Sequence, residues 1–155
     1  MVFRIITVSN KLIDFVELAV NHYSKNLKSL GGRLELTLLK RQKRFKGRDD
    51  QRRYDTDLLL DWLRRDSSGA MNVILDPEGK PVPTNQLTNI VKQFAKINFI
   101  IGSDVGIAKP HQLWSLAHLK ISISPWTLSH QVCIVICAEQ AWRILSIIKG
   151  HPYHK

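Results

Sequence analysis

Cysteine is nearly missing: the 155 residues hold only Cys133 and Cys137, four apart in the apolar stretch "QVCIVICAEQ". On a helix that spacing stacks both on one face, as buried free thiols in a reducing compartment, so the cytoplasm is the expected location. A metal centre needs more ligands nearby and a different spacing, and none is expected. No stretch approaches the length needed to cross a bilayer. The opening "MVFRIITVSNK" places Arg4 inside its short apolar run and lacks a small-residue cleavage site, so no secretory leader is expected. Internal repeats, low-complexity segments and evident linkers are absent as well. One domain over residues 1–155 is the expectation.

Acidic residues are also scarce. Asp and Glu number 13 against 23 Lys and Arg, a net charge of +10. The excess is concentrated in "KRQKRFKGRDDQRR", residues 40–53, whose eight Lys or Arg and two Asp supply six of those ten charges. A charge run is usually a solvated face. This one is lopsided, and clustered Lys40, Arg41, Lys43, Arg44, Lys46 and Arg48 favour a polyanion through Coulomb attraction and counterion release. Nucleic acid is the expected partner. A membrane surface is not, because no apolar partner face accompanies the charge.

What is present is an alternation of strand and helix patterns. "VFRIITVS" is a β-branched apolar run and reads as a buried strand. Asn10 is placed to cap a helix over "KLIDFVELAVNHYSKNLKSL", in which Leu12, Phe15, Val16, Ala19 and Tyr23 recur at helical spacing and Gly31-Gly32 supplies the stop. "RLELTLLK" alternates as a strand, and "DQRRYDTDLLLDWLRRD" reads as a helix broken by "SSGA". "MNVILD" is a strand ended by the turn "PEGKPVP". Thr84 is placed to cap a helix over "NQLTNIVKQFAK", and "INFIIG" is the next strand. "SDVGIAKPHQLWSLAH" holds a loop and a helix, and "LKISIS" is a last strand. Such an order implies an α/β fold with a parallel sheet covered by helices.

"SHQVCIVICAEQAWRILSIIKG" gives two signals: Val132 to Ile136 resembles a strand, whereas Ala138 to Ile148 resembles a helix. A helix apolar on nearly every side has to be covered on every side. A second copy of the chain is the expected cover, so a homodimer is expected with this element at its centre.

Ligands of an open parallel sheet bind at the carboxyl ends of its strands. Those ends are "LDPEG" from Leu75, "IIGSDVGIAKP" from Ile100 and "ISISPWTLSH" from Ile121. All three are loops of Gly, Pro and Ser that leave backbone groups free to grip a ligand. "GSDVG" is not a dinucleotide fingerprint, since its glycines fall at the wrong intervals.

"LDPEGKP", "IIGSDVG", "ISISPWTLSH", "AEQAWRI" and the closing "HPYHK" occur in this order. Together they resemble the RlmH (YbeA) family, small bacterial methyltransferases of the SPOUT class, over essentially the whole chain. The resemblance implies a parallel α/β sheet with a C-terminal trefoil knot, and S-adenosylmethionine as cofactor. It implies methylation of N3 of a pseudouridine in 23S ribosomal RNA, within the assembled ribosome, by a homodimer. Carried over by motif, Leu75, Gly102, Ser103, Gly106, Ser124, Pro125, Trp126, Thr127, Leu128 and Ser129 would line the cofactor pocket. In the tail, His154 would accept a proton, Tyr153 would stack on or hydrogen-bond the base, and Lys155 and Arg143 would hold phosphate or an imide oxygen. The tail of one subunit would reach the pocket of the other.

The chain departs from the family pattern at Ser103 (a second glycine), Ser129 (Pro), Ile134 (Arg) and Trp142 (Tyr). These departures motivate a rival reading, a non-catalytic RNA-binding or ribosome-associated module on the same fold. Bland roles also exist for the named residues. His151 and His154 suit a frayed end, His130 a helix cap, and Glu139 with Arg143 a helical ion pair. Trp62, Trp114 and Trp142 suit core or interface anchors.

Overall fold

A computed structural model of the chain describes residues 1–67 and 69–151. Five parallel strands, β1 (Val2–Val8), β2 (Arg33–Leu39), β3 (Ala70–Pro81), β4 (Lys96–Ile101) and β5 (Leu119–Ser122), form one sheet in the order β2-β1-β4-β3-β5. Around it pack α1 (Asp14–Ser29), α2 (Arg48–Asp66), α3 (Thr84–Val91), α4 (His130–Ile148) and a short 3-10 helix, Gln112–Leu116.

Both faces of the sheet are covered, which is why its central strands are near-continuous apolar runs rather than alternating ones. Phe3, Ile5, Val73, Ile97 and Phe99 point to one side and bury Val16 and Leu27 of α1, Leu87 and Val91 of α3, and Ile134, Ala138 and Ala141 of α4. Ile6, Val8, Ile74 and Ile100 point to the other and bury Leu59, Leu60 and Leu63 of α2. A polar row interrupts that second layer. Asn98 Nδ2 donates to Asn72 Oδ1 at 2.9 Å, and Asn72 Nδ2 donates to the Leu116 carbonyl at 3.1 Å.

The expected alternation holds, with several corrections. Asn10 does not cap α1, which begins at Asp14 after Ile13; its Oδ1 instead accepts from the Arg41 amide at 3.0 Å. Thr84 is the first residue of α3 rather than its cap, and its hydroxyl donates to Gln140 Oε1 at 2.8 Å. The turn expected after "MNVILD" lies within β3, because Leu75 and Lys80 both pair with Ile121 and the four residues between them bulge outward. Gly79 permits this: a Cβ there would lie 2.5 Å from the Ile121 carbonyl carbon. The helix expected in "HQLWSLAH" is only the five-residue 3-10 turn, capped by His111 Nδ1 accepting from the Leu113 amide.

The strand-like run Val132 to Ile136 is helical, part of the 19-residue α4. Ile134, Cys137, Ala138, Ala141, Ile144 and Leu145 recur at helical spacing and are buried, so packing overrides local β preference. As one element, α4 also has the length and mean hydropathy (1.5) of a bilayer span, contrary to the expectation that no stretch approaches one. Its buried face is nevertheless seated in the core of the α/β fold. Of its remaining apolar residues, Val132, Val135, Ile136 and Ile147 are half-buried and Ile148 is exposed.

Candidate functional site

The loops after β4 and β5 and the bulge of β3 converge on one cavity of about 590 Å³. This is the edge at which an open parallel sheet presents ligands, and the size is typical of a small-molecule site. Leu75, Ile101, Ile107, Ile123 and Leu128 give it apolar walls; Ser103, Ser124, Thr127 and Ser129 add hydroxyls. Arg48 and Arg52, from the first turns of α2, line it as well.

Each wall is held by local chemistry. Asp76 Oδ1 accepts from the Glu78 amide at 3.1 Å, folding the β3 bulge, and Lys109 Nζ bridges to Asp76 at 2.6 Å and Glu78 at 2.5 Å. Burial draws the Lys109 pKa down, but hydrogen bonds to the two carboxylates and their charges outweigh it and leave the ammonium raised. Lys109 also sits 5.1 Å from the centre of the Trp114 ring. In the β4 loop, Gly106 adopts φ +80° and its amide donates to the Ser103 carbonyl at 2.9 Å. A Cβ on Gly102 would lie 2.9 Å from the Gly106 carbonyl carbon, so this turn closes only around glycine. Arg52 Nε ties α2 to the same loop through the Val105 carbonyl at 2.6 Å.

His130 opens α4 on the cavity wall. Burial lowers its pKa, with Arg41 acting in the same sense and Asp104 against it, so the imidazole is neutral near pH 7. Cys133 lies one turn further on and also lines the cavity, while Cys137 is buried; burial raises the pKa of both free thiols.

The structure brings together most residues expected at a cofactor site: Leu75, Gly102, Ser103, Gly106, Ser124, Trp126, Thr127, Leu128 and Ser129 all line the cavity. Pro125 is not among the lining residues, and Trp126 is 79% exposed at the mouth. Of the cationic set, Lys40, Lys43, Arg44, Lys46 and Arg48 are exposed. Arg41 is not: its guanidinium holds the buried Asp55 and also Asp104. Arg143 lies on α4 beside Glu139, to which its Nε donates at 2.8 Å. It sits ten residues beyond Cys133, the last α4 residue on the cavity wall, about 15 Å along the helix. Tyr153, His154 and Lys155 lie outside the described residues.

Asp76, Asp104, Lys109 and His130 were missed, although each neighbours or lies within a motif that marked the loops. Two family departures have local tasks here. Ser129 Oγ caps α4 by accepting from the Val132 amide, and Ile134 is fully buried in the core. Ser103 is buried within the tight turn after β4.

A protein named ribosomal RNA large subunit methyltransferase H from Wolinella succinogenes is 42% identical over 93 residues, 60% of this chain and 59% of that protein, so the match spans less than two thirds of that relative. One of the same name from Nitrosomonas eutropha is 28% identical over 160 residues, covering 100% of this chain and 99% of the relative. Among solved structures, the tRNA (m1G37) methyltransferase from Aquifex aeolicus shares the fold with a TM-score of 0.58, at 17% identity over 92% of this chain and 70% of that one. The family described as "Predicted SPOUT methyltransferase" matches residues 1–154, and the chain belongs to it.

Proposed function

We propose that the chain is an S-adenosylmethionine-dependent methyltransferase of 23S ribosomal RNA, acting on N3 of a pseudouridine in the assembled ribosome, in the cytoplasm. The observation that carries this reading is the cavity itself. Three motif-bearing loops that are far apart in sequence wall one space at the carboxyl edge of the sheet. Family membership and the names of the relatives support a methyltransferase acting on ribosomal RNA. The trefoil knot expected of the C-terminal part belongs to the same reading.

The donor set suits the cofactor. Apolar walls at Leu75, Ile107 and Leu128 match a purine. The hydroxyls of Ser103, Ser124 and Thr127, with the loop backbone around Gly102, Gly106 and Ser129, match a ribose and an amino acid moiety. S-adenosylmethionine, when bound, supplies a methyl group activated by its sulfonium.

The protein's own part is positioning and proton management. The imide proton of N3 has to leave as the nitrogen attacks, which calls for a neutral base and for cations that stabilise the developing anion. His154 is assigned the base, Tyr153 the contact with the target base, and Arg143 and Lys155 the anionic oxygens. In a homodimer the tail of one subunit would be set at the cavity of its partner. The exposed Ile13, just before α1, and Phe15 and Leu18 of α1, beside the half-buried outer face of α4, supply an apolar surface for such pairing. The exposed cations Lys40, Lys43, Arg44, Lys46 and Arg48 are assigned to RNA phosphates.

Calorimetric titration with S-adenosylmethionine tests the reading. Saturable binding that is weakened by Gly102→Ala is expected, and no heat at high protein concentration would contradict it.

A further inference from the structure

Trp126 is unlike the other tryptophans. Trp62 lies under the Arg4 guanidinium at 5.8 Å, Trp114 donates its Nε1 hydrogen to the Ala108 carbonyl, and Trp142 packs against Tyr23. Trp126 is 79% exposed, at the mouth of the cavity. Leaving an indole in water forgoes a large apolar burial, so its position calls for an occupant.

The turn that carries it is fixed. Ser122 Oγ donates to the Ser124 carbonyl at 2.9 Å, and Ser124 Oγ accepts from the Trp126 amide at 2.9 Å. Pro125 restricts the backbone between them. The indole is therefore presented from a pinned loop rather than from a loose one.

Charge identifies the occupant. Arg48 and Arg52 line the same cavity, where Lys109 is paired with Asp76 and Glu78, and the exposed Lys43, Arg44 and Lys46 precede them in the chain. An exposed aromatic face at a cavity that also holds Arg48 and Arg52 is the composition that binds single-stranded nucleic acid, with bases stacked on the ring and phosphates along the cations.

We propose that Trp126 is the stacking platform for an unpaired nucleobase of the RNA strand at the cavity mouth, a positioning residue for the substrate. This rests on the ribosomal RNA reading above and assigns one residue of its recognition surface.

The test compares the full chain with Trp126→Ala and Trp126→Phe. With ribosomes and labelled S-adenosylmethionine, Trp126→Ala lowers kcat/KM about tenfold or more, through KM, whereas Trp126→Phe stays within about threefold. Cofactor affinity by calorimetry and association state by sedimentation are unchanged in both. Separately, a short oligouridylate quenches tryptophan emission of the wild-type chain, and that quench is lost in Trp126→Phe. Wild-type turnover in Trp126→Ala overturns the proposal. So does a parallel loss of cofactor affinity, which makes the indole a cofactor wall, or an altered association state, which makes it a subunit contact. If the wild-type chain fails to methylate ribosomes, the ribosomal reading fails by itself. The quench then decides: its presence sustains the stacking role and its absence ends it.

Discussion

The Arg41 guanidinium grips the fully buried Asp55 carboxylate through two hydrogen bonds, Nε to Oδ1 at 2.9 Å and Nη2 to Oδ2 at 2.7 Å. The same Nη2 reaches Asp104 at 3.1 Å, and Gln51 Nε2 meets that oxygen at 3.1 Å. One side chain thus fastens the basic loop to α2 and to the wall of the cavity. The bond to Asp55 is the main reason the Arg41 pKa is raised.

Replacing Arg41 leaves a buried carboxylate without its counter-charge, a change that costs about 3–5 kcal/mol. Arg41→Ala is expected to lose that much in urea unfolding. Arg44→Ala, at an exposed position nearby, is expected to change stability by no more than about 0.5 kcal/mol. Equal effects of the two changes would remove the structural role of Arg41.

Gly79→Ala drives a methyl group into the Ile121 backbone. Overpacking of this kind costs about 1–3 kcal/mol, and here it also moves Leu75 and Asp76 in the cavity wall. Lower stability together with weaker cofactor binding by calorimetry is expected. Unaltered stability would show that the β3 bulge has room to spare.

Charge reversal at Lys43, Arg44 and Lys46 should weaken ribosome binding and flatten its salt dependence. Each lost phosphate contact reduces the log–log slope by about 0.7–0.9, so the triple variant should be shallower by about two to three. An unchanged slope, measured by filter binding across a salt series, would mark the loop as merely solvated.

His130 should titrate below the ordinary histidine value of about 6.5 in NMR spectra of the folded chain. With its folded pKa below the unfolded one, the unfolded chain binds more protons as pH falls through that range. The stability contribution of the neutral imidazole is therefore present above about pH 6.5 and lost on acidification. A His130 titration at or above the ordinary value would contradict the burial described for it.

The strands were legible because burial on two faces leaves a plain trace, the apolar runs in Val2–Val8 and Lys96–Ile101. The cavity was legible because parallel strands direct their carboxyl-end loops to one edge. What escaped depends on partners distant in sequence. Asn10 and Thr84 look like helix caps locally, yet they bind Arg41, 31 residues away, and Gln140, 56 residues away. Val132 to Ile136 has β-branched character, and only the sheet beneath Ile134 and Ala138 makes it helical. Reading α4 as two pieces also concealed its bilayer-compatible length. Likewise, nothing near Arg41 in the sequence announces that Asp55 is buried and waiting for it.

The most direct measurement is mass spectrometry of ribosomal RNA after incubation of ribosomes with the protein and isotopically labelled S-adenosylmethionine. The account predicts one labelled methyl group, on N3 of a pseudouridine in 23S RNA. Labelled methyl on another base, or no transfer by protein that binds the cofactor, would contradict it.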